Sequence, residues 1–569
     1  MLYMQTNQKR QIISLDGIWQ FHRDGEKETR PMAVPASWNE QYEDLYQFHG
    51  IGVYERTFFV PPVEKEKTAI LRFGSVTGKA RILVNEVLVK EHEGAALPFE
   101  ADIRDYLREG ENRLTVISDN TPDAWGLPPA ALQDNEGRVG FNNSYPAVTY
   151  DFFPYSGVHR TVQLCIVPRI RIEDVVITTK LTEQEGAIVS FDITLNQETE
   201  GSLEVTSDGA CVQIPVLGKR KVSGSLSINN PSLWEPGNPH LYKLSMRLSD
   251  SEKELLDTYE QSYGIREVCI KEEKLYLNGK PIFLKGFGKH EDFPVIGKGF
   301  FAPGVIKDFS LMKKLGANSF RTSHYPYDEQ MLTLADELGI LVISETPLVG
   351  LNDRMYRPDI LERANGLIRE LIARDKNHPS VIAWSLANEP TVTTEEGEQF
   401  FEEMAETARK CDCTRPITYA AHLEPENNRA AKYYDFLCLN KYYGWYIEPG
   451  QIEETLPKLQ ACLEHFHETL HKGIMVTEFG ADAVAGIHAL PPVMFSEEYQ
   501  SEMIEKQYKL FVSLDYIMGA HIWAFADFRT AQSISRIVDN RKGVFTRTRE
   551  PKLAALTVEK LWREKKENE

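Results

Sequence analysis

From about residue 270 onward the chain alternates short apolar runs with longer stretches of helical periodicity, and this rhythm restricts the fold more than any other feature. The apolar runs are PIFLKGFG, ANSFRTS, LVISETP, VIAWSLANE, PITYAAH, FLCLNKYY, IMVTEFG and GAHIWAFADF. Stretches such as DEQMLTLADELG, EGEQFFEEMAETARKC and EEYQSEMIEKQYKLFVSL lie between them and read as helices, because apolar residues recur every three or four positions. Eight strands alternating with helices over about 300 residues give the count of a (β/α)8 TIM barrel.

The preceding sequence has a different texture. Up to residue 168 it runs in short alternating segments (VYERTFFV, AILRFG, ARILVNEVLV, NRLTVIS) punctuated by Gly, Asn, Asp and Pro, which predicts an antiparallel jelly roll. Residues 169–268 continue in that style with RIEDVVITTKL, AIVSFDITL, GSLEVTS and LYKLSMRLSD, a length and pattern that fit an immunoglobulin-like sandwich holding the PSLWEPGNPHLY turn inside it. The expected organisation is therefore multidomain: a jelly roll over 1–168, an immunoglobulin-like β-sandwich over 169–268 and a TIM barrel over 269–569.

Composition excludes some partners. With 84 acidic and 64 basic side chains the formal charge is −20, so neither nucleic acid nor an anionic membrane is expected to bind. The seven cysteines are few, odd in number and mostly set in apolar runs, which reads as reduced thiols. The Cys411–Cys413 pair is read as a solvated helix end. The N-terminal segment has no apolar h-region, and no window approaches 18 apolar residues, so a cytoplasmic protein is expected.

In a TIM barrel the reactive groups stand where strands end at the C-terminal face. The fourth strand ends in Glu389 and the seventh in Glu478. Two carboxylates across a barrel mouth suit glycosidic cleavage: one protonates the leaving oxygen, and the other attacks the anomeric carbon. A lone strand-end glutamate more often binds backbone amides or an arginine. These two, however, sit in the specific contexts NEP and TEFG, 89 positions apart.

With GFGKHEDFP, FRTSHYPY, ARDKNHPSVIAWSLANEP and LNKYYGWY, these motifs resemble glycoside hydrolase family 2 over nearly the whole chain, and in particular its bacterial members that cleave β-D-glucuronides. The resemblance implies Glu389 as acid/base, Glu478 as nucleophile, Asn388 on the sugar 2-OH and Tyr442 beside Glu478. It implies release of D-glucuronate through a covalent glycosyl-enzyme intermediate. β-D-Galacturonides or β-D-galactosides are the alternative substrates, and carbohydrate binding without turnover is the alternative from another class.

One stretch near the C-terminus, Ser533–Lys552, gathers positive charge within an acidic protein. A substrate carboxylate there needs fixed local donors, since the long-range field opposes it. In DNRKG, Asn540 and Lys542 match the N-x-K pattern by which such enzymes hold the substrate carboxylate. Arg536 matches a further carboxylate-side residue, and Tyr446 and Trp523 match walls of the same pocket, while Asp151 and His324 are implied to contact the sugar and line the base of the site. Arg541, Arg547, Arg549 and Lys552 are read as a solvated face paired with surface acids. The resemblance implies no cofactor and no metal, and a homo-oligomer, often a tetramer, acting on small glucuronides or glucuronate-terminated oligosaccharides. HETLH (467–471) matches a zinc motif, but its helix is expected on the outside of the barrel, and KHED (289–292) is expected to serve hydrogen bonding. LNDRMYRPDILERANG (351–366) is expected to form a shortened loop that leaves the mouth open to large aglycones.

Overall fold

The computed structural model describes residues 2–94, 96–132, 144–182 and 186–563. Eight parallel strands close into a barrel: β1 (Leu284–Gly288), β2 (Ser319–Arg321), β3 (Leu341–Glu345), β4 (Val381–Asn388), β5 (Ile417–Ala421), β6 (Leu437–Asn440), β7 (Ile474–Glu478) and β8 (Ile517–Trp523). Each run read as a barrel strand overlaps one of them. All positions of β3 to β8 are buried, as expected where side chains fill the barrel on one face and helices cover the other.

Among the described residues seven helices surround or close the barrel: α1 (Ala302–Leu315), α2 (Glu329–Leu338), α3 (Pro358–Asp375), α4 (Glu395–Cys411), α5 (Ile452–Leu470), α6 (Glu497–Val512) and α7 (Leu553–Arg563). α4 illustrates why they form. The Thr394 hydroxyl accepts from the Gly397 N–H, Glu395, Glu396 and Glu398 occupy the first turn, and Arg409 and Lys410 the last, so both ends of the helix dipole are complemented. Cys411 and Cys413 lie exposed at its end.

Two all-β sandwich domains precede the barrel. In the first, a six-stranded and a four-stranded antiparallel sheet enclose Trp19, Phe21, Trp38, Tyr54, Leu71 and Phe73. In the second, the runs AIVSFDITL and GSLEVTS, read as separate strands, belong to one strand, Gly186–Ser207. Its register slips between Thr194 and Thr199; the first half pairs with Ile172–Leu181 and the second with Tyr242–Ser249. The irregularity bends the strand, so that one chain segment serves both faces of the sandwich.

Several local expectations are corrected. The PSLWEPGNPHLY turn does not stay inside the sandwich. Its hairpin places Trp234 under the barrel, where the fully buried indole donates to the Asp336 carbonyl at 2.8 Å and packs with Leu341, Ile382 and Phe436. Only 351–357 of LNDRMYRPDILERANG is loop, because Pro358 starts α3 with its φ preset and no N–H to lose. In HETLH, His471 falls beyond α5 in the left-handed region at φ 49°, while His467 bonds Glu273 at 2.7 Å, so the two histidines do not share a helical face. Only Cys165, Cys438 and Cys462 are buried; Cys211 and Cys269 point outward because alternate strand residues face opposite sides.

Candidate functional site

Six strand ends converge at the mouth of the barrel. β2 ends in Arg321, whose guanidinium is fully buried. Its Nη1 donates to both oxygens of Glu345, the last residue of β3, at 2.9 and 2.7 Å, and to Asn388 Oδ1 on β4 at 3.3 Å. Its Nη2 donates to Glu478 Oε1 at the end of β7. One arginine therefore ties three strand ends to its own. Glu345 also accepts from Ser385 at 2.7 Å and lies 2.9 Å from His324 Nδ1.

The remaining bonds orient the two glutamates singled out by the sequence. The Tyr442 hydroxyl donates to Glu478 Oε2 at 2.7 Å. Asn440, the last residue of β6, donates to Glu389 Oε1 at 2.9 Å and to Asn388 Oδ1 at 3.2 Å, and its own side-chain Oδ1 accepts from the Thr477 hydroxyl at 2.9 Å. Glu389 has φ 47°, a left-handed backbone that is uncommon outside glycine and costs roughly 1–3 kcal/mol. It turns the chain sharply as β4 ends. Trp523, at the end of β8, stacks on His324 with centroids 5.0 Å apart. Gly288 permits this approach, since a Cβ there would meet the indole at 2.5 Å.

Charge distribution follows from burial. Desolvation opposes the charge of Arg321, but Glu345 and Glu478 outweigh it and hold the guanidinium above its ordinary range. Burial likewise opposes ionisation of Glu345, yet Arg321 and His324 bring its carboxyl below the usual value. At Glu478 burial wins: the carboxyl is raised, the charge of Glu389 adds to the rise, and Arg321, His324 and Tyr442 oppose it.

Beside this cluster lies a second one, built from loops. Fully buried Lys542 sends Nζ to the Tyr446 hydroxyl at 2.9 Å and to Asp482 at 3.2 Å, among the rings of Tyr442, Trp445 and Tyr446. Asn540 accepts from the Lys542 N–H at 3.0 Å and donates its amide to Asp151 Oδ2 at 2.8 Å. Arg536 Nε donates to the same carboxylate at 3.0 Å, and its Nη2 donates to the Tyr446 hydroxyl at 2.7 Å. Asp151 is thus held by two groups read from the sequence as readers of a substrate carboxylate. The Tyr442 and Tyr446 rings, 5.1 Å apart, join the clusters.

All the residues predicted for the site come together in these two clusters, but the solvated-face reading of the basic run fails. Arg547 is buried and donates to Asp292 and to Glu40, both at 2.7 Å. Arg549 binds Asp308 at 2.8 Å. Lys552 binds Asp527 at 2.7 Å and the carbonyls of Ala483 and Arg541. Arg541 remains partly exposed, near Asp527 and Asp539. The C-terminal segment packs between the first domain and the barrel, and the acids met by Arg547 and Arg549 lie 241 to 507 positions away in sequence. Asp292 and Asp308 come from the chain after β1, so KHED serves as a partner for these cations. Arg321, Glu345, Asn440 and Asp482 were missed. For the first three a signal existed: each ends a barrel strand, the criterion that found Glu389 and Glu478.

The chain belongs to glycoside hydrolase family 2. The family's sugar binding domain matches residues 10–168, the domain described simply as Glycosyl hydrolases family 2 matches 170–266, and its TIM barrel domain matches 268–566. Among relatives, a β-glucuronidase from Paenibacillus borealis is 40% identical over 593 aligned positions covering 99% of both chains. The solved β-D-glucuronidase of Dictyoglomus thermophilum superposes with a TM-score of 0.92 at 40% identity, covering 99% of each chain. The Bifidobacterium dentium β-glucuronidase complexed with coumarin-3-O-glucuronide gives 0.93 at 34% identity, covering 99% of this chain and 98% of that one. Among the described residues no helix is long and apolar enough to cross a membrane.

Proposed function

We propose that this chain is a retaining β-glucuronidase, releasing D-glucuronate from β-D-glucuronides through a covalent glycosyl-enzyme intermediate. The observation that carries the substrate assignment is the buried Lys542–Asn540–Arg536 pocket, connected through Tyr446 and Tyr442 to Glu478. Lys542 and Arg536 meet at the Tyr446 hydroxyl, and Arg536 and Asn540 meet at Asp151; such a neighbouring set of ammonium, guanidinium and amide suits a carboxylate better than a neutral hydroxymethyl group.

In this reading Glu389 protonates the glycosidic oxygen and later activates water, while Glu478 attacks the anomeric carbon. Arg321 and Tyr442 fix the attacking carboxylate, and Asn440 aims Glu389. Asn388 takes the sugar 2-OH, a contact that strengthens as the oxocarbenium-like transition state forms. His324 and Trp523 form the base of the site. The substrate carboxylate brings a negative charge into a pocket where Arg536 and Lys542 already face Asp151 and Asp482. Asp151 therefore gives up Arg536 and Asn540 to the substrate and turns to a sugar hydroxyl.

We further read the chain as three domains with boundaries near 168 and 268, acting without a cofactor, in the cytoplasm and as a homo-oligomer. The short 351–357 segment leaves the aglycone side open to larger groups, including oligosaccharides ending in glucuronate. The deciding experiment compares p-nitrophenyl β-D-glucuronide, β-D-galacturonide and β-D-galactoside with the wild type and Lys542→Ala. A glucuronide preference that collapses in the variant supports the proposal. Faster galacturonide cleavage, still dependent on Lys542, moves the assignment to the C4 epimer, and galactoside cleavage indifferent to Lys542 removes the carboxylate reading.

A further inference from the structure

Six lysines are buried among the described residues: Lys289, Lys298, Lys376, Lys441, Lys542 and Lys552. Five have a carboxylate close by: Asp308 at 3.3 Å, Asp174 at 2.8 Å, Glu424 at 2.9 Å, Asp482 at 3.2 Å and Asp527 at 2.7 Å serve Lys289, Lys376, Lys441, Lys542 and Lys552 in turn. Lys298 has no such partner among the described residues. Its Nζ rests 3.5 Å from the centre of the Tyr325 ring.

The exception has a local cause. The Lys298 backbone is pinned by Ser37, whose hydroxyl donates to the Lys298 carbonyl at 2.9 Å and accepts from its N–H at 3.1 Å. The carboxylate that acts on its amine, Glu291, is already committed to Arg160 at 3.0 Å and to the Asp328 N–H at 2.8 Å. The remaining neighbours are cationic or neutral. Arg160 repels it, and burial pushes His159 and His290 well below the ordinary imidazole range. Burial brings the Lys298 amine down to about 7, with Arg160 adding to the fall and Glu291 opposing it.

Lys298 also lines a cavity of about 830 Å³ between the first sandwich domain and the barrel, walled by Phe152, Phe153, Tyr155, His324 and Leu367. That volume lies within the range of small-molecule sites. We propose that Lys298 is a reactive amine that forms a reversible imine with small aldehydes entering this cavity. The amine lone pair attacks the carbonyl carbon, a C–N bond forms, and the carbinolamine loses its oxygen as water to leave the imine; no oxidant or reductant takes part. Reducing sugars, the products of glycoside hydrolases, open to such aldehydes. An adduct there lies against Phe152, whose ring stacks on His324 at 6.3 Å, and His324 lies 3.8 Å from Glu478.

The test uses the full chain with glycolaldehyde at pH 7 and cyanoborohydride, which fixes an imine as a secondary amine, followed by peptide mapping by mass spectrometry. At pH 7 an ordinary lysine is neutral in roughly one molecule in 2,500, so Lys298 is expected to label at least about tenfold faster than exposed Lys253. Its rate is expected to fall as pH drops through about 7. Lys298→Arg, which keeps a cation over Tyr325, is expected to lose that adduct while other lysines label as before. Labelling of Lys298 no faster than Lys253, or a rate still rising steeply beyond pH 9, overturns the proposal. Both readings come from the wild type, so they decide the matter even if the variant does not fold.

Discussion

The two halves of the site are built on opposite principles. The Glu389–Glu478 half stands on the ends of parallel strands, with Arg321, Asn440 and Tyr442 already bonded to the groups they orient. The Lys542 half stands on loops, and its cations are neutralised by Asp151 and Asp482 before any substrate arrives. The first can act without rearrangement. On the proposed reading the second must exchange one acid for another. Preorganised donors belong where charge develops during reaction, whereas an exchangeable counter-ion suits recognition, because a neutral sugar offers nothing to displace it.

Five measurements can break or sharpen that contrast. The largest effect is expected for Glu478→Gln, which should lower kcat on p-nitrophenyl glucuronide by about 10⁴-fold or more. Glu389→Gln should cost less on this good leaving group than on an alkyl glucuronide, and equal losses on both would contradict the acid role.

Next comes Arg547→Met, which strands Asp292 in the interior. It should destabilise the fold by about 3–5 kcal/mol in urea melts while the folded variant keeps its KM. Unchanged stability would restore the solvated reading of the basic run. Lys542→Ala should lower kcat/KM for glucuronides by roughly 30-fold or more, the loss of one buried charge-assisted contact, and leave any slow galactoside cleavage unaffected.

The smallest effect concerns pH. Burial raises the Glu478 carboxyl above 4.5, so its reactive anion is present at higher pH and is lost as pH falls through that raised value. The acid limb of kcat/KM should therefore be centred above pH 4.5, and a midpoint at or below that value would show that Arg321 prevails over burial.

The same contrast explains what could be read in the sequence. Strand-borne residues were legible because an apolar run followed by a polar residue marks a position in the barrel mouth. Glu389 and Glu478 were found in that way, and the rule applied evenly would have added Arg321, Glu345 and Asn440. Loop-borne partners carry no such mark. Asp151 and Arg536 are separated by 385 positions, and only folding brings them together. The cations of the basic run looked solvated for the same reason. Arg547 and Arg549 find their acids around β1 and α1, and no local pattern announces such pairs.

That long separation also has a consequence for the making of the protein. Chains emerge from the N-terminus at about 5–20 residues per second, so Asp151 exists for roughly 20–80 s before Arg536 has been synthesised. Glu40 waits longer still for Arg547. Through that interval the first domain must hold its fold with the acids of its docking face unpaired. The Arg536–Lys542 cluster is among the last features of the nascent molecule to be completed, and on the proposed reading a ribosome that stops before residue 536 leaves a chain carrying both glutamates and none of the cations that would hold an acid sugar.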